Sequence, residues 1–319
     1  MIKNLCSLRF LFILPIVASH IPFWCENKYV LSASDAAVSF FFMLSGFVLA
    51  QGYGKRIEDK EFSQRQFLRR QLSKFYPLYV ACMVVFFFVN YKYIDPAQYQ
   101  RILLASCMVQ SWIPDSNYYF AGNGVSWFLA TLFFIYMAFP WIYKFVSRLS
   151  LRWLTGFCVV FVAVYLVVAM QVPAERVNDF IYVNPLFRVA DFTLGLCLNK
   201  FYIKLPQPVH LKRPVLAGIA LLLTYACFLA MCLHIDIRIR TASWYWVVNA
   251  LTIVYFAATD ISDNCLTRLL HWSPMLYLGQ KTYVVYLTHA LIINIMVRLA
   301  LRIYPMMVSF TDKLFIFAT

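Results

Sequence analysis

Residues 36–53 read AAVSFFFMLSGFVLAQGY, a run without a single charge. As a helix it would be about 27 Å long, close to the roughly 30 Å of a bilayer's hydrocarbon core. Such a run could also lie in a soluble core, so its meaning depends on the rest of the chain. The rest is alike. Apolar runs recur near residues 5–23, 75–91, 125–143, 153–172, 183–199, 214–234, 243–259 and 282–303, separated by short polar loops. Segment 98–113 (QYQRILLASCMVQSWI) is short for a crossing and suits an interfacial or re-entrant piece.

The composition points the same way. Of 319 residues, 62% are hydrophobic and 13% charged, against about 45–50% and about 25% in soluble domains. A water-soluble globule is excluded. The expected fold is an all-α polytopic transmembrane helical bundle of about nine or ten spans. It forms one membrane domain over residues 1–303, followed by an incomplete apolar C-terminal segment, 304–319. Arg9 interrupts the first apolar run and no small-x-small cleavage pattern follows, so that run is read as a retained helix.

The 28 Lys and Arg against 14 Asp and Glu leave a net charge of +14. These cations are scattered over short loops and form no tract that could follow a nucleic-acid backbone, so no nucleic-acid partner is expected. They read instead as membrane orientation. With the N-terminus cytoplasmic and 98–113 not crossing, 18 of them fall on the cytoplasmic side and 9 on the other. If 98–113 crosses, the contrast drops to 15 against 12. The first layout is preferred, with the loops meeting anionic membrane lipid. The nine cysteines include no C-x-x-C pair, and no His or carboxylate spacing suits a metal; neither a disulfide framework nor a metal site is expected.

Ionisable groups inside apolar runs are costly and usually face the protein interior, where they find a partner or a task. Arg9 and His20 are eleven residues apart, which on a helix brings them within 20° of one face and separates them by roughly 16 Å. They could hold an anion below and handle a proton above, or be a snorkelling Arg and a packed core His. Ser45-Gly46 either permits close helix approach or leaves a slot for a substrate. The loop after it carries Lys55, Arg56, Lys60, Arg65, Arg69, Arg70 and Lys74, which could meet lipid head groups or the phosphates of a nucleotide-like donor. Arg188 and Asp191 form an i, i+3 pair able to neutralise each other. Tyr286 and His289 are also i, i+3 neighbours, while His210, His234 and His271 fall at loops or helix ends.

Taken in order, RFLFILPIVASH (9–20), FFMLSGFVL (41–49), FLRRQLSKFYPLY (67–79), PLFRVADFTLG (185–195) and LGQKTYVVYLTHALI (278–292) resemble the integral-membrane acyltransferase 3 family. The resemblance runs from the first span to about residue 303. Its most specific element is R-x10-H, here Arg9 to His20. Three departures stand out. The family's Arg-x-x-Arg before KFYPLY reads Gln71 and Lys74 here, with Arg70 placed to substitute. Ser39 replaces an Asp at the start of the second span and Leu132 a Glu in the middle of the chain, which leaves Asp191 as the main intramembrane carboxylate. The family's last helix is expected to be missing or incomplete.

The resemblance implies a membrane-bound O-acyltransferase. It would move an acyl group, by expectation acetyl, from cytoplasmic acyl-CoA to a hydroxyl of a cell-surface polysaccharide or glycolipid, across a bacterial inner membrane. No bound cofactor is implied; acetyl-CoA serves as co-substrate. On this reading His20 is the general base and Arg9 holds the donor. Arg69, Arg70 and Lys74 receive its phosphates, and Ser45 and Gly46 line the acyl path. His289, Tyr286, Arg188 and Asp191 support. A single cavity shared by Arg9 and His20 is the central expectation. A proton-coupled transporter or lipid and glycan permease would use the same buried groups as a substrate path, and a scaffold without catalysis would need none of them.

Overall fold

The computed structural model describes residues 2–91, 95–206, 209, 211 and 213–303. The segment 304–319 and His210 lie outside the described residues. The first apolar run folds as α1 (Lys3–Ser19), which continues through Pro15 and ends on His20 as its C-cap. The second helix starts well before its apolar run. Asn27 accepts hydrogen bonds from the N–H groups of Tyr29 and Val30, satisfying donors that a helix start leaves open. As a result α2 (Lys28–Glu58) has 31 residues, about 46 Å of helix, and includes Asp35. Asp191 is therefore not the main intrahelical carboxylate by default; Asp35 is a second.

The chain continues through α3 (Gln64–Asn90), α4 (Pro96–Ser106), α5 (Ser116–Tyr119), α6 (Trp127–Arg148) and α7 (Leu151–Gln171). After a π-helical turn it forms α8 (Pro185–Tyr202), with Asn184 as cap and Pro185 at the first position, where no N–H is needed. Then come α9 (Pro214–Met231), α10 (Ile237–Ala242), α11 (Trp246–Ala258), α12 (Cys265–Leu270), α13 (Ser273–Gln280) and α14 (Thr282–Ile303).

Among the described residues there is no strand. Every expected apolar run forms a helix, yet only six are long and apolar enough to cross a membrane: α2, α3, α6, α7, α9 with its short extension to His234, and α14 to Ala300. Six helices among the described residues thus qualify by length and composition, and the expected nine or ten spans are not confirmed. The other runs fall outside those limits for local reasons. α1 has 17 residues, α8 carries Arg188 and Asp191, and α11 has only 13 residues, about 20 Å of helix. α4, with 11 residues, is about 16 Å long and too short to cross.

The centre of the bundle is the crossing of α2 and α8. A Cβ at Gly46 would overlap the carbonyl of Phe192, and one at Gly195 would overlap that of Met43. The two glycines let the backbones touch. α1 is fixed at its start by Asn4, whose N–H donates to Asp260 (2.7 Å), and by the Ser7 hydroxyl, which donates to the Leu270 carbonyl. Gly279 of α13 packs directly on the Cys6 carbonyl. These contacts set the start of α14 beside Arg9.

Candidate functional site

Two centres lie along α1, one at Arg9 in its first half and one at its C-terminal end. Near its start, Arg9, Ser45, Lys74, Tyr283 and Tyr286 line a cavity of about 130 Å³ whose remaining walls include Phe128, Leu129 and Leu132. The cavity is therefore cationic at one edge and apolar along α6. Arg9 is half-buried. Among the described residues it has no carboxylate within 4 Å and no hydrogen-bond partner. Tyr136, beside Ser45 and within electrostatic reach of Arg9, belongs to the same neighbourhood. The Lys74 ammonium sits 5.4 Å from the Tyr283 ring centroid, within cation–π range.

At the other end of α1, His20 meets His289 of α14. Their ring centroids are 4.9 Å apart and the planes cross at 80°. His20 Nδ1 lies 2.8 Å from the Ile16 carbonyl. A carbonyl can only accept, so Nδ1 carries the proton and the neutral ring keeps its lone pair on Nε2. His289 is built the same way: Nδ1 donates to the Tyr286 carbonyl at 2.7 Å, and Nε2 is buried without a partner. A buried acceptor left unpaired costs about 1–3 kcal/mol. His20 is exposed at the end of α1. Ser19 and Ser34 hydrogen-bond at 3.2 Å beside it.

The lining of the Arg9 cavity includes Tyr286 but neither His20 nor His289. Along α1 the lining runs from Arg9 only to Ile13, and Tyr286 and His289 occupy the interval to His20, their rings 5.8 Å apart. The Tyr286 hydroxyl donates to the Val125 carbonyl at 2.6 Å, which fixes the ring between the Arg9 cavity and His289. The lining thus reaches Tyr286, three positions before His289 on α14, and the two histidines stand beyond it.

The other expected site residues separate by position. Lys74 lines the cavity; Arg70 is exposed and within electrostatic reach of Lys74, and Arg69 is exposed outside the lining. Ser45 faces the cavity, whereas Gly46 faces α8 and lies outside it. Arg188 and Asp191 are fully buried and paired at 3.2 Å. Asp191 also accepts from Ser39 (2.5 Å) and Trp246 Nε1 (2.6 Å), and Arg188 Nε donates to the Tyr182 carbonyl. This network ties α2, α8 and α11 together and leaves the carboxylate no free role as a base. Ser39, read as a lost acid, is the residue that holds Asp191. Asp35, in electrostatic reach of Arg240 and Arg188, was missed because the helix starts at its cap and not at the apolar run. Among the described residues no cluster of His, Cys, Asp and Glu could hold a metal.

The profile of the acyltransferase domain family matches residues 2–311. The chain is similar to the acyltransferase MdmB of Streptomyces mycarofaciens, with 26% identity over 319 aligned positions, covering 92% of this chain and 79% of that protein. A shorter similarity, 41% identity over 63 residues, joins it to protein 2 in the picA locus of Rhizobium radiobacter and covers 19% of this chain and 33% of that one. No solved structure matches. With a family profile spanning nearly the whole chain and six helices able to cross a bilayer, this multi-pass membrane protein belongs to the acyltransferase 3 family.

Proposed function

We propose that the protein is an O-acyltransferase that takes an acyl group, acetyl by preference, from cytoplasmic acyl-CoA. It passes the group to a hydroxyl of a cell-surface polysaccharide or glycolipid at the opposite face of the bacterial inner membrane, with the N-terminus cytoplasmic. The observation that carries this reading is the division of labour along α1: an unpaired guanidinium in a cationic cavity at one end, and two imidazoles with free Nε2 atoms at the other.

Arg9 and Lys74 hold the donor's phosphates, with Arg70 at the mouth. The pantetheine arm, on the order of the roughly 16 Å between Arg9 and His20, brings the thioester past Tyr286 toward the histidines. His20 Nε2 takes the proton of the acceptor hydroxyl as its oxygen attacks the thioester carbonyl. The C–S bond breaks, the C–O bond forms, and the imidazolium returns its proton to the departing thiolate. His289 orients His20, and the Arg188–Asp191 network holds α2 and α8 in place around the path. Membership in an acyltransferase family favours this reading over a permease. The test is whether purified protein transfers label from acetyl-CoA to envelope glycan.

A further inference from the structure

We propose that Lys281 completes a phosphate cradle at the mouth of the Arg9 cavity and makes the reaction depend on a phosphate-bearing carrier and not on the thioester alone. This rests on the acyl-CoA reading above. The helices α13 and α14 meet at Gly279-Gln280-Lys281-Thr282. Gly279, Gln280 and Thr282 line the cavity, so the exposed Lys281 stands at its rim. The packing of Gly279 on the Cys6 carbonyl fixes this junction three residues from Arg9.

The charges there are all of one sign. Lys74 is in electrostatic reach of Arg9, Arg70 and Lys281 together. Among the described residues, none of the four pairs with a carboxylate within 4 Å. The Lys281 ammonium lies 5.9 Å from the Tyr277 ring centroid, and the Lys74 ammonium rests by Tyr283 in the same manner. Aromatic faces carry the cations without using their N–H donors. Four gathered cations repel until an anion arrives, and several negative charges on one ligand relieve that repulsion best. An acetyl thioester without its carrier has no charge to offer. A nucleotide-like carrier has a diphosphate and a monophosphate. Anionic lipid head groups present the same phosphate chemistry from the membrane.

The experiment uses the full chain in phosphatidylcholine nanodiscs and compares wild type, Lys281→Glu and Lys281→Arg with acetyl-CoA and with phosphate-free S-acetylpantetheine. Lys281→Glu is expected to raise KM for acetyl-CoA about tenfold with little change in kcat. The ratio of kcat/KM for the two donors falls by the same factor, and Lys281→Arg retains it. CoA affinity by calorimetry falls in parallel. An unchanged KM, or equal losses with both donors, overturns the proposal while leaving acyl-CoA as donor. A loss confined to nanodiscs containing phosphatidylglycerol assigns the cluster to lipid and also overturns it. Wild type that binds no CoA removes the donor reading and this proposal together.

Discussion

His20 and His289 meet edge to face at 4.9 Å, each with Nδ1 bound to a carbonyl of its own helix and Nε2 left over. They come from opposite ends of the sequence, and the contact exists because α1 and α14 start side by side at the Cys6–Gly279 crossing. His289 itself is not among the residues that line the cavity. Its replacement by Asn should therefore lower kcat, on the order of 10²-fold if His20 is misplaced by about an ångström, with donor KM unchanged. Steady-state kinetics check this; a rise in donor KM with kcat preserved would place His289 in donor binding instead.

Adjacent residues should behave oppositely. Ser45 faces the cavity and Gly46 faces α8, so Ser45→Phe should fill the donor site and lower kcat/KM with little change in melting temperature. Gly46→Val should push the two backbones apart at Phe192 and destabilise by at least about 1–3 kcal/mol. Thermal unfolding in detergent and donor kinetics on both variants separate the two effects.

The ion pair at the heart of α8 should act on stability. Replacing Asp191 by Asn leaves the Arg188 charge buried without its partner, and breaking a buried pair typically costs about 3–5 kcal/mol. Replacing both, as Arg188→Met with Asp191→Leu, should recover much of that loss. If Asp191→Asn melts normally but is inactive, Asp191 belongs to the chemistry.

The pH profile should follow the histidines. At the start of α10, Arg238 grips the N-cap Asp236 through both oxygens and, with the Arg238 N–H, holds that carboxyl at about 2. A carboxyl held this low contributes stability that is complete above its ordinary value and lost only as pH falls toward 2. It therefore stays constant between about pH 5 and 8, the window in which imidazoles change charge. Since a base must be unprotonated to act, kcat/KM should rise across that window. A flat profile with unimpaired folding would speak against an imidazole base.

Much of this arrangement is legible in the sequence where a local rule decides it. Apolar runs became helices, and the eleven-residue interval placed Arg9 and His20 at opposite ends of one rod. What the sequence did not show depends on partners far along the chain. Asp35 entered α2 because Asn27 caps a helix that starts eight residues ahead of the apolar run. Gly46 turned away from the cavity because Gly195, on another helix, meets it. Tyr286 stands between the Arg9 cavity and His289 because its hydroxyl reaches the Val125 carbonyl. The helices α8 and α11 fall outside the six that qualify as spans for a further reason: α8 carries Arg188 and Asp191, and α11 has only 13 residues.

The claim at the centre is that His20 is the base for acyl transfer from acetyl-CoA to a glycan hydroxyl. Purified wild type and His20→Ala, matched for detergent stability, are incubated with radiolabelled acetyl-CoA and envelope glycan. Label should pass to the glycan with wild type, and transfer should fall by a factor of about 10² or more with His20→Ala. Equal transfer by both proteins would contradict the account.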